Sequence, residues 1–207
     1  MFNIIGIDVS EHNGMVDWKA VHEFGISFAL IRLGYGAGHL DEMFYRNVNG
    51  ALAVGLDIGI YYYSYALTPE AAQQEAWFTA AVLADCGLFP GKLAMDCWLD
   101  MEDADGYKAR HGVTASGEVT LLCQSYIEEM HRLGYPCGLY ASYDWLSHRI
   151  DTGQLEKNFP YLSYWCAQWG ARCDFTKASL WQYSDHLEIG GAVFDGNRII
   201  RKNWEIE

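Results

Sequence analysis

The sequence predicts an α/β fold closed into an irregular TIM-like barrel, with five β/α units followed by about three strands, and three observations carry that expectation. Apolar strand-type runs alternate with segments of helical period as far as residue 141. Beyond it, strands follow one another across loops. Eight strands within ~200 residues favour a small closed barrel over an open doubly wound sheet. The 207 residues are 51% hydrophobic and 20% charged, with 4 prolines, 21 glycines and no low-complexity stretch, so residues 1–207 read as one domain around one core.

The first strand covers residues 3–9, and a helix follows over 17–24, where Trp18, Val21 and Phe24 recur at helical spacing before Gly25. The second unit pairs a strand at 27–33 with a helix at 41–54. Phe44, Val48, Ala51 and Leu52 share one face there, with Asp41 as N-cap and Gly55 just past the end. Residues 58–64 (IGIYYYS) are rich in β-formers, and Thr68-Pro69-Glu70 supplies a capping hydroxyl, a proline at the first helical position and an early acid. The fourth strand spans 92–101. A helix near 118–133 then puts Val119, Leu122, Cys123, Tyr126, Met130 and Leu133 on one stripe before Gly134. The fifth strand is 136–141, residues 144–148 make at most a short helix, and 161–168, 180–183 and 192–195 are strands.

Composition narrows the function. Lys+Arg of 14 against Asp+Glu of 27 leaves a charge of −13, which repels phosphate backbones and anionic lipid, so neither nucleic acid nor membrane is an expected partner. No G-x-G-x-x-G or G-x-x-x-x-G-K-[ST] follows a strand, no H-E-x-x-H is present and no G-x-S-x-G occurs, so neither a nucleotide cofactor nor a zinc-hydrolase or serine-nucleophile site is indicated. The amino terminus has neither a basic stretch nor a long apolar run, which predicts no signal peptide, and no window reaches ~18 apolar residues. The six cysteines form no C-x-x-C pair and read as free core thiols, with Cys166 and Cys173 the easiest disulfide if one forms.

In a parallel barrel the chemistry gathers at the C-terminal ends of the strands. Four acids sit there: Asp8 on the first strand, Asp100 and Glu102 in LAMDCWLDMED, and Asp195 in AVFDGNR. Alternation puts Asp100 and Glu102 on one face with Trp98 and Asp96, their Cα atoms roughly 6.6 Å apart, and sends Met95, Cys97, Leu99 and Met101 to the other face. Two neighbouring carboxyls cannot both ionise cheaply, so the pair divides into an acid and an anion, which is what glycosidic cleavage requires. Glu102, the longer arm nearer the rim, is the expected acid/base and Asp100 its charged partner. A calcium loop aligned on Gly106 would need carboxylates where Met101 and Gly112 stand, so no metal site is expected. Aromatics make up 15% of the chain, and Tyr61, Tyr63, Trp98 and Trp181 are the candidates for stacking on sugar rings.

These motifs together resemble a known family. GIDVSEHNG with VDW, FALIRLGYG followed by Asp41, GLDIGIYYYSY, LAMDCWLDMED, GYPCGLYAS, YWCAQW and LWQYSD with AVFDGN occur in the order of the glycoside hydrolase family 25 muramidases, the lysozyme type of bacteria, phages and fungi. The resemblance runs end to end and implies a barrel of five β/α units and three further strands. It also implies hydrolysis of the β-1,4 bond between N-acetylmuramic acid and N-acetylglucosamine in bacterial cell-wall peptidoglycan, with retention and no cofactor. By position, Glu102 resembles the acid/base, Asp100 its partner carboxylate, and Asp8 and Asp195 two further acids of the pocket. Trp169 stands where tyrosine is common and Tyr62 where histidine is frequent. The expected location is extracellular or at the cell wall, and the absence of a predicted signal peptide suggests synthesis in the cytoplasm followed by release, as for a phage lysin. A barrel that binds peptidoglycan or chitin-like chains without cutting them is the alternative.

Overall fold

The computed structural model describes residues 4–201. Among them, nine strands form one sheet: β1 (Ile5–Val9), β2 (Phe28–Tyr35), β3 (His39–Leu40), β4 (Asp57–Tyr63), β5 (Cys97–Asp100), β6 (Cys137–Ser142), β7 (Tyr164–Ala167), β8 (Leu180–Ile189) and β9 (Ala192–Ile199). Their order, β1-β9-β8-β7-β6-β5-β4-β2-β3 with β1 also pairing β2, closes eight strands into a barrel and leaves β3 as an antiparallel addition to β2. The ladder from β1 through β2, β4, β5, β6 and β7 to β8 is parallel, and β9 runs antiparallel to both β8 and β1. The expected α/β barrel of five β/α units and three later strands is therefore present. Residue 3, the predicted start of the first strand, lies outside the described residues.

Helices α1 (Trp18–Glu23), α2 (Phe44–Ala53), α3 (Pro69–Asp85), α4 (Tyr107–Arg110), α5 (Ser116–Arg132) and α6 (Thr152–Asn158) follow the strands. Their starts use the chemistry visible in the sequence: Asp17 accepts from the Ala20 N–H at 3.0 Å, and Thr68 accepts from the Ala71 N–H at 3.2 Å. Gly134, just past α5, sits at φ 88°, where a side chain would be strained. Strand alternation builds two apolar layers. Outward residues such as Ile7, Ile31, Ile60, Leu99 and Leu139 pack with helix residues including Phe44, Val48, Ala76, Leu122 and Tyr126. Inward residues Phe28, Leu30, Tyr61, Trp98, Trp165 and Leu180 fill the lower barrel. Glycines opposite them make this possible, because a Cβ on Gly6 would lie 2.3 Å from the Phe28 ring and one on Gly138 2.5 Å from Trp98.

Several local expectations need correction. The fourth strand begins at Cys97 rather than at residue 92, because Asp96 adopts φ 56° and interrupts the alternation. Met95 consequently joins the interior cluster and Asp96 lines a small surface pocket with Phe89 and Pro136. Asp41 does not cap α2. It is buried, accepts from Arg32 Nε at 2.8 Å and from the backbone N–H groups of Glu11 and Met43, both at 2.9 Å, and so ties the loop after β1 to the start of α2. The last two strands are longer than expected and form a hairpin turning at Gly190-Gly191. The cysteines are free thiols, and Cys166 and Cys173 are not bonded to each other.

Candidate active site

The C-terminal ends of the parallel strands open on a hollow of about 370 Å³. All four predicted acids line it. Asp8 comes from β1, Asp100 ends β5, and Glu102 lies two residues beyond, where the Met101 N–H still bonds the Tyr140 carbonyl at 3.0 Å and holds the chain in the ladder. Asp195 arrives differently. It does not close its strand but sits within β9, directly opposite Asp8, and reaches the same rim because β9 runs antiparallel.

The neighbouring polar groups form one network. Asp8 Oδ2 accepts from Asn197 Nδ2 at 2.7 Å and from Gln182 Nε2 at 3.0 Å, and the same Gln182 amide donates to Asp195 Oδ2 at 3.2 Å. Gln182 Oε1 accepts from the Tyr140 hydroxyl at 3.1 Å and from Trp169 Nε1 at 3.2 Å; Asn197 Oδ1 accepts from Trp165 Nε1 at 2.8 Å. Each amide is thus fixed in orientation by donors on its oxygen side, which leaves its NH2 for carboxylates. Asp100 is only 3% exposed, and its Oδ1 is buried without a hydrogen-bond partner among the described residues, while Glu102 is half-buried.

Burial is the first cause of the electrostatics. It pushes Asp8 up to about 8, helped by the charge of Asp195 and opposed by the Asn197 and Gln182 hydrogen bonds. Asp195 rises to about 6 through burial and then the nearby Asp185. Asp100 is driven well above the usual carboxylate range by burial and by Glu102, against the pull of Lys108. Glu102 is raised by burial too, with Lys108 opposing. At neutral pH Asp8 thus favours its proton while Asp195 favours its charge, so acid and anion coexist within the hollow.

The same shifts predict a stability profile. A carboxyl whose folded pKa exceeds its unfolded value holds its proton better when folded, so its contribution to stability is fully present below about 4 and is lost as pH rises through the folded pKa. With Asp195 at about 6 and Asp8 at about 8, the midpoint temperature is expected to fall as pH rises from about 4 to about 8. Calorimetry across that window checks it, and Asp8→Asn is expected to make the decline shallower.

Of the predicted aromatic contacts, Tyr61 and Tyr63 line the hollow, Tyr61 edge-on to Trp165 with centroids 5.9 Å apart. Trp98 and Trp181 do not. Trp98 is fully buried beneath the hollow with Nε1 donating to the Met95 carbonyl at 2.7 Å. Trp181 points out of the barrel because alternation gives the inward place on β8 to Gln182; its Nε1 donates to the Gln168 carbonyl at 2.7 Å and Arg198 lies over its ring. Tyr62 also faces outward, its hydroxyl donating to the Gly36 carbonyl, whereas Trp169 stands 60% exposed near the rim. The acids beyond Glu102 serve the backbone: Asp103 accepts from the Lys108 and Ala109 N–H groups, and Asp105 from that of Tyr107.

Sequence reasoning did not single out Arg32, Tyr140, Trp165, Gln182 or Asn197. Tyr140 shares the inward parity of Asp100 across the β5–β6 ladder, and that register, had it been known, would have found it.

A closed β/α barrel with an acid-lined mouth is the class of protein this fold and site define. The sequence model of the family described as Glycosyl hydrolases family 25 matches residues 7–192, and the chain belongs to that family. Lysozyme M1 of Streptomyces globisporus is 24% identical over 201 residues, covering 93% of this chain and 66% of that protein, so the chain spans just under two thirds of this relative's length. A bacterial lysozyme from Streptomyces coelicolor superposes with a TM-score of 0.78 at 21% identity, covering 97% of this chain and 93% of the other. The modular autolysin LytC from Streptococcus pneumoniae, solved in complex with a synthetic peptidoglycan ligand, superposes with a TM-score of 0.81 at 22% identity, covering 94% and 46%. These superpositions establish the shared barrel.

Proposed function

We propose that this chain is a peptidoglycan muramidase that hydrolyses the β-1,4 bond between N-acetylmuramic acid and N-acetylglucosamine with retention, in the bacterial cell wall. The observation that carries the reading is the meeting of Asp8, Asp100, Glu102 and Asp195 on one hollow at the strand ends, in a member of a glycosyl hydrolase family. Glu102, the less buried of the central pair, donates its proton to the leaving oxygen and later takes one from water. Asp100, deeper in the hollow, is the anion when the proton that the crowded pair shares stands on Glu102, and it then supplies negative charge to the oxocarbenium-like centre, either by attacking carbon or by orienting the substrate's own N-acetyl group. Asp8 and Asp195, with Gln182 and Asn197 fixing them, hold the sugar below the bond. Tyr61 and Tyr63 offer flat walls with polar tips. The names of the S. globisporus and S. pneumoniae relatives support a wall glycan as substrate, and residues 4–201 include no helix long and apolar enough to cross a membrane.

The experiment is mass spectrometry of peptidoglycan digested by the purified protein. Fragments ending in reducing muramic acid are expected. Reducing glucosamine ends, released peptides, or saturable binding without any new reducing end would overturn the reading, the last in favour of a glycan-binding barrel.

A further inference from the structure

Behind the hollow lies a buried cation that the mechanism above does not use. Lys108, on the short helix α4, is 1% exposed and does not line the hollow. Its Nζ donates to the Glu102 carbonyl at 3.0 Å and to the Ser64 carbonyl, and it lies 5.9 Å and 5.8 Å from the ring centres of Tyr63 and Tyr65. Both acceptors matter. Ser64 follows β4, and its own N–H bonds the Asp100 carbonyl at 3.0 Å; Glu102 follows β5. The ammonium therefore clamps together the ends of the two adjacent strands that deliver Tyr63, Asp100 and Glu102.

The clamp has a second, anionic half. Glu75 of α3 is buried, accepts from the Ser64 hydroxyl at 2.6 Å and from the Tyr65 N–H at 2.9 Å, and fixes the same turn after β4 from the other side. Burying a lysine is costly unless its charge meets acceptors and opposite charge. The titratable groups whose charges act on it are Glu75 from α3, Asp100 from β5, Glu102 just beyond that strand, Asp103 from the following loop and Cys123 from α5.

We propose that Lys108 is a positioning residue for the Asp100–Glu102 pair, clamping the Glu102 main chain at the rim and supplying the positive charge that lets one member of a crowded carboxyl pair ionise. The inference rests on the muramidase reading for its catalytic meaning but not for its geometry. Consistent with the placement, Lys108 opposes the upward drift of both Asp100 and Glu102.

The test compares wild type with Lys108→Met, and with Lys108→Met/Glu75→Gln, which removes both buried charges together and so avoids leaving Glu75 unpaired. Carboxyl carbon NMR titration reads Asp100 and Glu102 directly. Both variants are expected to raise these titrations by about one pH unit, the effect of losing a nearby opposite charge. With wall glycan, the pH profile is expected to move upward by the same amount, kcat to fall, and KM to stay within about twofold, because Lys108 touches no substrate. A structural role alone would lower stability and leave titrations and profile where they were; unchanged titrations in a folded variant overturn the proposal. Because the NMR readout needs no turnover, a wild type inactive on peptidoglycan would sink the muramidase reading and leave this one decidable.

Discussion

Glu102→Gln is expected to fold like the wild type and to lose peptidoglycan turnover by about 10²–10⁴-fold, the range contributed by a positioned general acid–base. The reasoning is geometric. The side chain lines the hollow at half-burial and carries none of the hydrogen bonds that hold the barrel; it is the Glu102 carbonyl, which the substitution keeps, that Lys108 binds. An amide of the same shape removes the transferable proton and little else. Release of reducing ends per enzyme, measured against an unchanged unfolding midpoint, gives the answer. A variant that lyses walls at the wild-type rate would move the acid role to another of the four carboxyls.

Trp98→Ala is expected to act in the opposite way, costing about 3–5 kcal/mol of stability as large aromatic truncations in cores do. Trp98 is fully buried, hydrogen-bonded to the Met95 carbonyl and packed edge-on to Trp165 at 5.9 Å. The room it fills was made for it, since Gly138 on β6 has no side chain where the indole lies. The loss would be a large fraction of a typical domain's total stability, so urea unfolding should show it at once. In whatever fraction remains folded, KM for the glycan should stay near the wild-type value. Wild-type stability with a raised KM would mean instead that the indole meets the sugar.

Those two positions mark the boundary of what the sequence made legible. Asp100 and Glu102 were found because alternation is a local rule: residues two apart on a strand share a face, and the apolar run before them said which strand it was. Helix boundaries at Asp17, Thr68 and Gly134 were readable for the same reason, since a cap and a left-handed stop act within one turn of chain. Trp98 has the inward parity of Asp100 too, yet parity does not report depth. Two residues below the rim, the same face belongs to the core.

Trp181 and Gln182 show a different limit. Nothing near β8 states which of its faces is inward, and an aromatic beside a polar residue invites the choice the structure reverses. The register with β9 decides it, pairing Gln182 with Asn197 and Trp181 with Arg198. Lys108 was silent and Asp41 was misread as a helix cap, because each acts through partners far along the chain: Ser64 and Glu75 for the lysine, Arg32 and Glu11 for the aspartate.

The sequence by itself therefore determined the alternating β/α order, the helix stops and the four carboxyls, all set by spacing along a few residues of chain. Only the tertiary structure decided that β9 enters antiparallel and lays Asp195 beside Asp8, that Gln182 and Asn197 hold them, and that a buried ammonium stands behind the pair. Ring closure and strand register are long-range pairings, and no local periodicity encodes which distant side chains they bring within hydrogen-bond reach.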